Sequence, residues 1–373
     1  MSSLNRKLRR SLLVGSLMSL GILGVVSAST PAQGTAEPQG PLPIIEADRT
    51  LAPGDTSKGA DNFYKSNKVT GTAVTFTNSY GMKVAGNLFI PKSIKQGERL
   101  PAIVVGHPMG AVKEQSATLY AQKLADQGFV TLAIDLSFWG HSEGEPRNSV
   151  SPDIYADDFS AAVDYLDTLA AVDRNKIGVL GICGSGSFVI SAAKIDSRMK
   201  AIATVSMYDM GAAVRDGLHH STTLQQRMNL VKEASAQRDV EYAGGSKVYT
   251  SGTPDSEAEV TNPIGAEFYD FYRTARGSVG NIRNHTTHPT LTTFVKFMNF
   301  YPFNDMDLLG NRPLLIIAGA DAHSREFSED AYAKATGPKE LYIIPNAGHV
   351  DLYDRTNLIP FDKLGAFFKN NLK

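Results

Sequence analysis

Only one cysteine, Cys183, occurs in the 373 residues, so no internal disulfide can form. In an exported chain a lone thiol is either buried and inert or kept for chemistry. An excess of one charge is also missing. The 37 basic and 38 acidic residues leave a formal net charge of −1, with no basic stripe to displace counterions from a nucleic-acid backbone. No Gly-rich loop with a following Lys is present to cradle phosphates, and no internal repeat is visible. His285 and His288, and His219 and His220, stand close in sequence without carboxylates at zinc-ligand spacing, so neither a metal nor another cofactor is expected. At 42% apolar and 20% charged residues, the composition excludes an acidic disordered tail, a collagen-like repeat and a disulfide-rich miniprotein.

Long apolar runs are scarce. The run Ser11 to Val26 follows Arg6, Lys7, Arg9 and Arg10 and ends at Val26-Ser27-Ala28. It is short for a membrane span of about 20 residues, and with its basic start and small-residue end it reads as a secretory signal peptide over residues 1–28. Arg9-Arg10-Ser11-Leu12-Leu13 faintly resembles a twin-arginine signal. Cleavage would take the net charge from −1 to −5 and leave an exported chain, periplasmic or secreted, with no stable membrane insertion. Residues 29–67, rich in Pro, Gly, Ala, Ser and Thr, read as a linker or N-terminal arm.

Regular structure is expected from residue 68. Thr72 to Asn78 and Met82 to Ile90 alternate apolar and polar around Asn78-Ser79-Tyr80-Gly81, the pattern of a β-hairpin. Short, solidly apolar runs then mark strands buried on both faces: Pro101 to Gly106, Phe129 to Ile134, Ile177 to Gly181, Ala201 to Val205, Leu314 to Ala318 and Leu341 to Ile344. Helical spacing falls over Gln115 to Gln127, Ile154 to Val172, Ser185 to Ile195, Ser328 to Ala335 and Pro360 to Asn370. This alternation predicts an α/β fold: a mostly parallel central sheet with helices on both faces, split into residues 68–207 and 307–373. Between them, residues 208–306 break the rhythm and hold 12 of the 32 aromatic residues, as a helical lid inserted over a pocket would. Phe268 and Tyr272 are its candidate pocket residues.

The chemistry is concentrated at Lys176 to Ser187, KIGVLGICGSGS. A buried strand runs into Gly181-Ile182-Cys183-Gly184-Ser185-Gly186 and on into a helix, the arrangement of a nucleophile elbow. Small residues must flank such a sharp turn, and the residue at its tip is presented at a helix N-terminus. Counting from the strand end makes Cys183 the nucleophile; Ser185, one residue into the helix, is its rival. His349 follows the last strand behind Gly348 and is the candidate general base. Asp321, just past the preceding strand, is the candidate orienting acid, with Asp209 as the alternative and His323 as a supporting residue. One oxyanion donor should be the N–H of Gly184. The other should come from the loop after Gly106, where Pro108 has no N–H and Met109 does. His107, beside them, is a further pocket candidate.

These residues resemble the α/β-hydrolase fold, in particular its dienelactone-hydrolase-like branch, whose elbow is Gly-x-Cys-x-Gly-Gly. A bacterial subgroup is closer still. It shares the His107-Pro108 loop with Lys113-Glu114-Gln115, the stretch Met298 to Phe303, Ala322-His323-Ser324 and Gly348-His349-Val350-Asp351-Leu352-Tyr353. The similarity spans about residues 68–373, and fungal relatives include polyketide thiohydrolases and acyl transferases. The resemblance implies an exported hydrolase acting on a small-molecule carboxylic ester, lactone or thioester through an acyl-Cys intermediate. An acyltransferase and a non-catalytic ligand-binding descendant are the alternatives. His107 and Pro108 stand where dienelactone hydrolases carry a glutamate that meets the thiol. The resting nucleophile is expected to be a thiolate paired with an imidazolium.

Overall fold

The computed structural model describes residues 37–42, 46–280 and 287–373. The signal peptide expected at residues 1–28 and His285 lie outside the described residues. Each apolar run predicted as a strand is one, but Leu341 to Ile344 lies at the sheet edge with Ile344 alone buried, rather than buried on both faces. In chain order the strands are β1 Glu37–Pro41, β2 Val69–Thr77, β3 Lys83–Pro91, β4 Leu100–Gly106, β5 Val130–Ile134, β6 Val172–Ile182, β7 Met199–Val205, β8 Leu314–Gly319 and β9 Lys339–Ile344. They form one sheet in the order β1-β2-β3-β5-β4-β6-β7-β8-β9, antiparallel from β1 through β3 to β5 and parallel from β5 to β9.

Helices cover both faces because the central strands are apolar on both. The helices are α1 Ala117–Ala125, α2 Pro152–Asp167, α3 Ser185–Ile195, α4 Met210–Arg215, α5 Leu224–Tyr242, α6 Pro263–Tyr272, α7 Leu291–Phe294, α8 Arg325–Lys334, α9 Asp351–Asp354 and α10 Phe361–Asn371. On one face α2 and α3 bury Phe159, Phe188 and Val189 against Val104, Val179 and Ile202. On the other, α1 and α10 bury Leu119, Leu124, Leu364 and Phe368 against Ile103, Val105 and Leu180. Each such side chain contributes about 1.5–3 kcal/mol of transfer free energy.

Two expectations change. Residues 46–67 are not a loose linker: Asp61 N–H donates to the Asp354 carbonyl at 3.0 Å, Ser116 N–H to Asn62 Oδ1 at 2.8 Å, and Arg355 grips Asp55 at 2.7 Å. The aromatic insert also divides its labour. Phe297 stacks on Phe188 of α3, and Phe300 and Phe303 are buried beside it, so part of the insert belongs to the core of the sheet domain. Its α6 end is tied to the loop after β9 by Arg276, which bonds Asp354 at 2.6 Å and the Val350 carbonyl at 3.2 Å. Helix α5 is different: Ala234 is its one buried side chain, and a reciprocal Thr223–Gln226 capping box holds its start.

The chain leaves β4 toward β5 on one side and β6 toward β7 on the other. The C-terminal ends of β4 and β6 therefore flank a crevice where the strand order reverses, the usual ligand position in such sheets.

Candidate active site

Cys183 stands at that crevice with φ 54°, between the last residue of β6 and the first turn of α3. A left-handed conformation at a non-glycine residue is uncommon, and it is held by bonds on both sides. Cys183 N–H donates to the Val205 carbonyl at 3.0 Å, while its carbonyl accepts from Gly186 N–H at 2.9 Å and Tyr208 N–H at 3.0 Å. The flanking glycines are required by close approach. A Cβ at Gly181 would lie 2.2 Å from the Ser185 carbonyl oxygen, and one at Gly184 would lie 2.6 Å from Met109 Cβ. The second contact places the β4 loop directly against the elbow.

The N–H groups of Gly184 and Met109 and the Tyr353 hydroxyl lie toward Cys183 Sγ and favour its thiolate. The two expected oxyanion donors thus converge on the sulfur. Ser185, the rival nucleophile, is fully buried and donates its hydroxyl to the His107 carbonyl at 2.5 Å, so it braces the β4 loop. His107 does not line the pocket, contrary to expectation. Its Nδ1 donates to the Pro108 carbonyl at 2.7 Å and its Nε2 accepts from Leu136 N–H at 3.1 Å, which occupies both nitrogens within the core. Phe268 and Tyr272 do line it. With Met109, Tyr208, Met210 and Phe294 they enclose a cavity of about 210 Å³ that reaches Cys183.

His349 is buried beside the elbow, its ring against Tyr208, Phe268, His323 and Tyr353 at 4.8–5.7 Å. Its orienting partner is not the expected acid. Nδ1 meets Ser324 Oγ at 2.5 Å and Nε2 meets the Tyr353 hydroxyl at 3.0 Å. Asp321 is exposed, because its own N–H pairs with the Ala347 carbonyl at 3.0 Å and turns its side chain outward. Asp209 is not the substitute, since its carboxylate caps α4 by accepting from Ala212 N–H at 2.8 Å. Among the described residues no carboxylate hydrogen-bonds His349. Glu267 lies 3.7 Å from His323, whose ring lies 4.8 Å from that of His349. Aspartate-to-asparagine at 321 should therefore leave kcat/KM within about threefold of wild type. Ser324→Ala should cost more, about tenfold, by orphaning the buried Nδ1. Steady-state ester turnover of the two variants compares them.

Burial also sets the protonation states. The Cys183 thiol is pushed up to about 11 by desolvation, which outweighs the stabilising bonds from Tyr353, Gly184 and Met109. Desolvation, reinforced by the neighbouring His323, holds His349 far below the usual imidazole range, and desolvation takes His323 down to about 4. Desolvation thus opposes both charged forms and works against the thiolate–imidazolium pair expected from the sequence, since each charge would sit in an apolar shell and no carboxylate among the described residues bonds His349. Alkylation of Cys183 by iodoacetamide should keep accelerating as pH rises past the ordinary thiol value of about 8.5. Mass-spectrometric rates across pH test this, and a plateau below 8 would restore the ion pair.

One cluster has the make-up of a cation site: Glu114, Asp135 and His141. The ammonium of Lys113 already sits among them, 2.8 Å from each carboxylate and 3.1 Å from His141 Nδ1. Burial opposes its charge, but Asp135 and Glu114 together raise its pKa above the usual value. The cluster is a buried ion network anchoring the loop that carries Met109.

Comparison with known proteins bears on the family of the chain. The sequence profile of the dienelactone hydrolase family matches residues 84–237. The uncharacterized protein PA2218 of Pseudomonas aeruginosa is 43% identical over 372 residues, covering 98% of this chain and 95% of that protein. Its crystal structure superposes with a TM-score of 0.80 at 45% identity, covering 83% of this chain and 96% of the other. The uncharacterized protein YcjY of Escherichia coli is 33% identical over 304 residues, 80% of this chain and 98% of that protein. The polyketide transferase claH of Penicillium crustosum is 26% identical over 284 residues, 75% and 90% of the two chains.

Proposed function

Because this chain belongs to the dienelactone hydrolase family of α/β-hydrolases, we propose that it cleaves a small-molecule carboxylic ester, lactone or thioester through an acyl intermediate on Cys183. The observation that carries this reading is the strained elbow, where Cys183 at φ 54° meets the N–H groups of Gly184 and Met109. A carbonyl entering from the cavity would bring its carbon to Sγ and its oxygen to those two donors. As sulfur attacks, the thiol proton passes to the His349 base and the carbonyl π pair moves to oxygen, where both N–H groups stabilise it. Such donors contribute most when fixed in advance in a water-poor site, and here Gly184 is fixed by the elbow and Met109 by its packing on Gly184. The protonated base then supplies the leaving alcohol or thiol. Water, deprotonated by the same imidazole, releases the acid.

The cavity walls favour an acyl group of modest size and little charge, since Phe268, Tyr272, Met210 and Phe294 dominate them. Export to the periplasm or medium, inferred from the N-terminal residues, separates the chain from carrier-protein thioesters and favours an ester or lactone. The name of the Penicillium relative supports acyl transfer as a second outcome on the same acyl-Cys.

Trapping the intermediate tests the proposal. The chain from Ser29 onward is mixed with p-nitrophenyl butyrate, quenched in acid and digested. One butyryl group on the peptide containing Cys183 is the expected result. A butyryl group on Ser185 or elsewhere would overturn it. Adding an alcohol to the chase separates hydrolysis from transfer by the product formed.

A further inference from the structure

Nucleophile and base do not touch directly. The groups that favour a thiolate on Cys183 are the N–H groups of Gly184 and Met109 and the hydroxyl of Tyr353, and Tyr353 lines the same cavity as Cys183. His349 has two hydrogen-bond partners, Ser324 Oγ on Nδ1 and the hydroxyl of Tyr353 on Nε2. Among the described residues, Tyr353 is thus the group shared by both. The spacing makes this possible: His349 and Tyr353 are four residues apart across the start of α9, close to one helical repeat. Their rings lie 5.3 Å apart at 67°, and Tyr353 lines the cavity that Cys183 also lines.

We propose that Tyr353 is a catalytic residue that relays the proton between Cys183 and His349. This rests on the acyl-Cys reading above and gives it a route. With the imidazole proton on Nδ1 and donated to Ser324, Nε2 is free to accept from the Tyr353 O–H, and the phenol oxygen accepts from the thiol. On attack the S–H bond breaks as the S–C bond forms. The thiol proton goes to the Tyr353 oxygen while the original phenol proton moves to Nε2. Thiol, phenol and imidazole become the sulfur of the tetrahedral adduct, phenol and imidazolium, with no net gain or loss of protons. In the collapse the chain runs backward: Nε2–H returns a proton to Tyr353, and the phenol gives its own to the departing alkoxide or thiolate as the C–O or C–S bond breaks. Water enters the second half by the same path.

Three further features fit a relay rather than a packing role. Tyr353 is completely buried, so no solvent water competes for its hydroxyl. Its ring lies 6.2 Å from that of Tyr272 from the insert, and both line the substrate cavity, which places the relay at the cavity wall. Burial raises its own pKa well above the usual phenol value, so the hydroxyl stays neutral and passes protons without becoming a phenolate. Ser324, a neutral acceptor in place of a carboxylate, fixes the tautomer without holding imidazolium as a resting state.

The test uses the exported chain with p-nitrophenyl acetate. Tyr353→Phe removes one oxygen and should lower the pre-steady-state acylation rate by about 10²–10⁴-fold, the range of a general acid–base contribution. KM and the thermal transition should change little. Replacing Tyr353 with 3-fluorotyrosine retains a hydroxyl and should restore the rate. Wild-type acylation in H₂O/D₂O mixtures should depend on deuterium fraction with curvature, as expected for two protons in flight. Tyr353→Phe acylating within about threefold of wild type, or a strictly linear isotope dependence in wild type, overturns the relay; the isotope measurement holds even if the variant misfolds. Failure of the underlying reading is distinct, because then Cys183→Ala would acylate or turn over like wild type.

Discussion

Alanine at position 183 should reduce ester turnover to the buffer background, a loss on the order of 10⁴-fold or more, as when a covalent nucleophile is removed and only binding and oxyanion stabilisation remain. The structure gives this prediction an internal control two residues away. Ser185 is fully buried, and its hydroxyl is spent on the His107 carbonyl. Ser185→Ala removes one buried hydrogen bond, about 1 kcal/mol of stability, and loosens the brace behind Met109. Its turnover should fall by no more than about tenfold. The measurement is p-nitrophenyl acetate and butyrate turnover by the three proteins, with intact mass confirming each variant. Retained turnover in Cys183→Ala with loss in Ser185→Ala would move the nucleophile and recast the chain as a serine hydrolase.

Lys113 should produce the largest effect on stability. Its side chain is almost completely buried, and its ammonium meets Asp135 and Glu114 at 2.8 Å each; Asp135 also accepts from the N–H groups of Lys113 and His141, at 2.7 and 2.9 Å. Removing one partner of such a network leaves buried carboxylates uncompensated, at a cost of about 3–5 kcal/mol. Lys113→Ala should therefore lower Tm by roughly 6–10 °C. Lys113→Met, which fills the space without the charge, should fare little better, because the loss is electrostatic rather than volumetric. Both variants should also lose activity at temperatures where they remain folded, since the network anchors the loop from which Met109 donates. Thermal melts paired with low-temperature kcat/KM separate the two effects. A Lys113→Met protein as stable as wild type would show that Asp135 takes up a proton at little cost.

The central strands could be read from the sequence because double burial demands unbroken apolar runs such as Ala102 to Val105, and the β2–β3 hairpin because its strands alternate about a turn. β1, Glu37-Pro38-Gln39-Gly40-Pro41, has no such signature. An edge strand needs only one partner, and its register slips at Gly40. The first half of β6, Val172 to Lys176, is polar for a related reason: it extends past the covered part of the sheet. At the site, the elbow was legible because its glycines are required by contacts of 2.2 and 2.6 Å, and His349 because it follows the last apolar run behind a glycine. The partner of His349 was not. Asp321 and Ser324 lie three residues apart in one loop, and only a backbone bond from Asp321 to Ala347 decides which faces inward. The upward shift of the Cys183 thiol was equally hidden, since it depends on how deeply the folded chain buries the sulfur. The spacing from His349 to Tyr353 was visible, but a buried tyrosine four residues from a histidine ordinarily signals packing.

The unburied character of α5 has a consequence for how the protein opens. A helix that hides one alanine gains almost nothing from tertiary contact, so its 19 residues depend on local propensity and on the Thr223–Gln226 cap. Its amides should exchange with solvent through local fraying while those of β4, β6 and α3 wait for global unfolding. Proteases should cut there first and leave the catalytic domain intact. The outer wall of the insert and the sheet beneath it are, in that sense, two materials: one held by its own backbone, the other by everything around it.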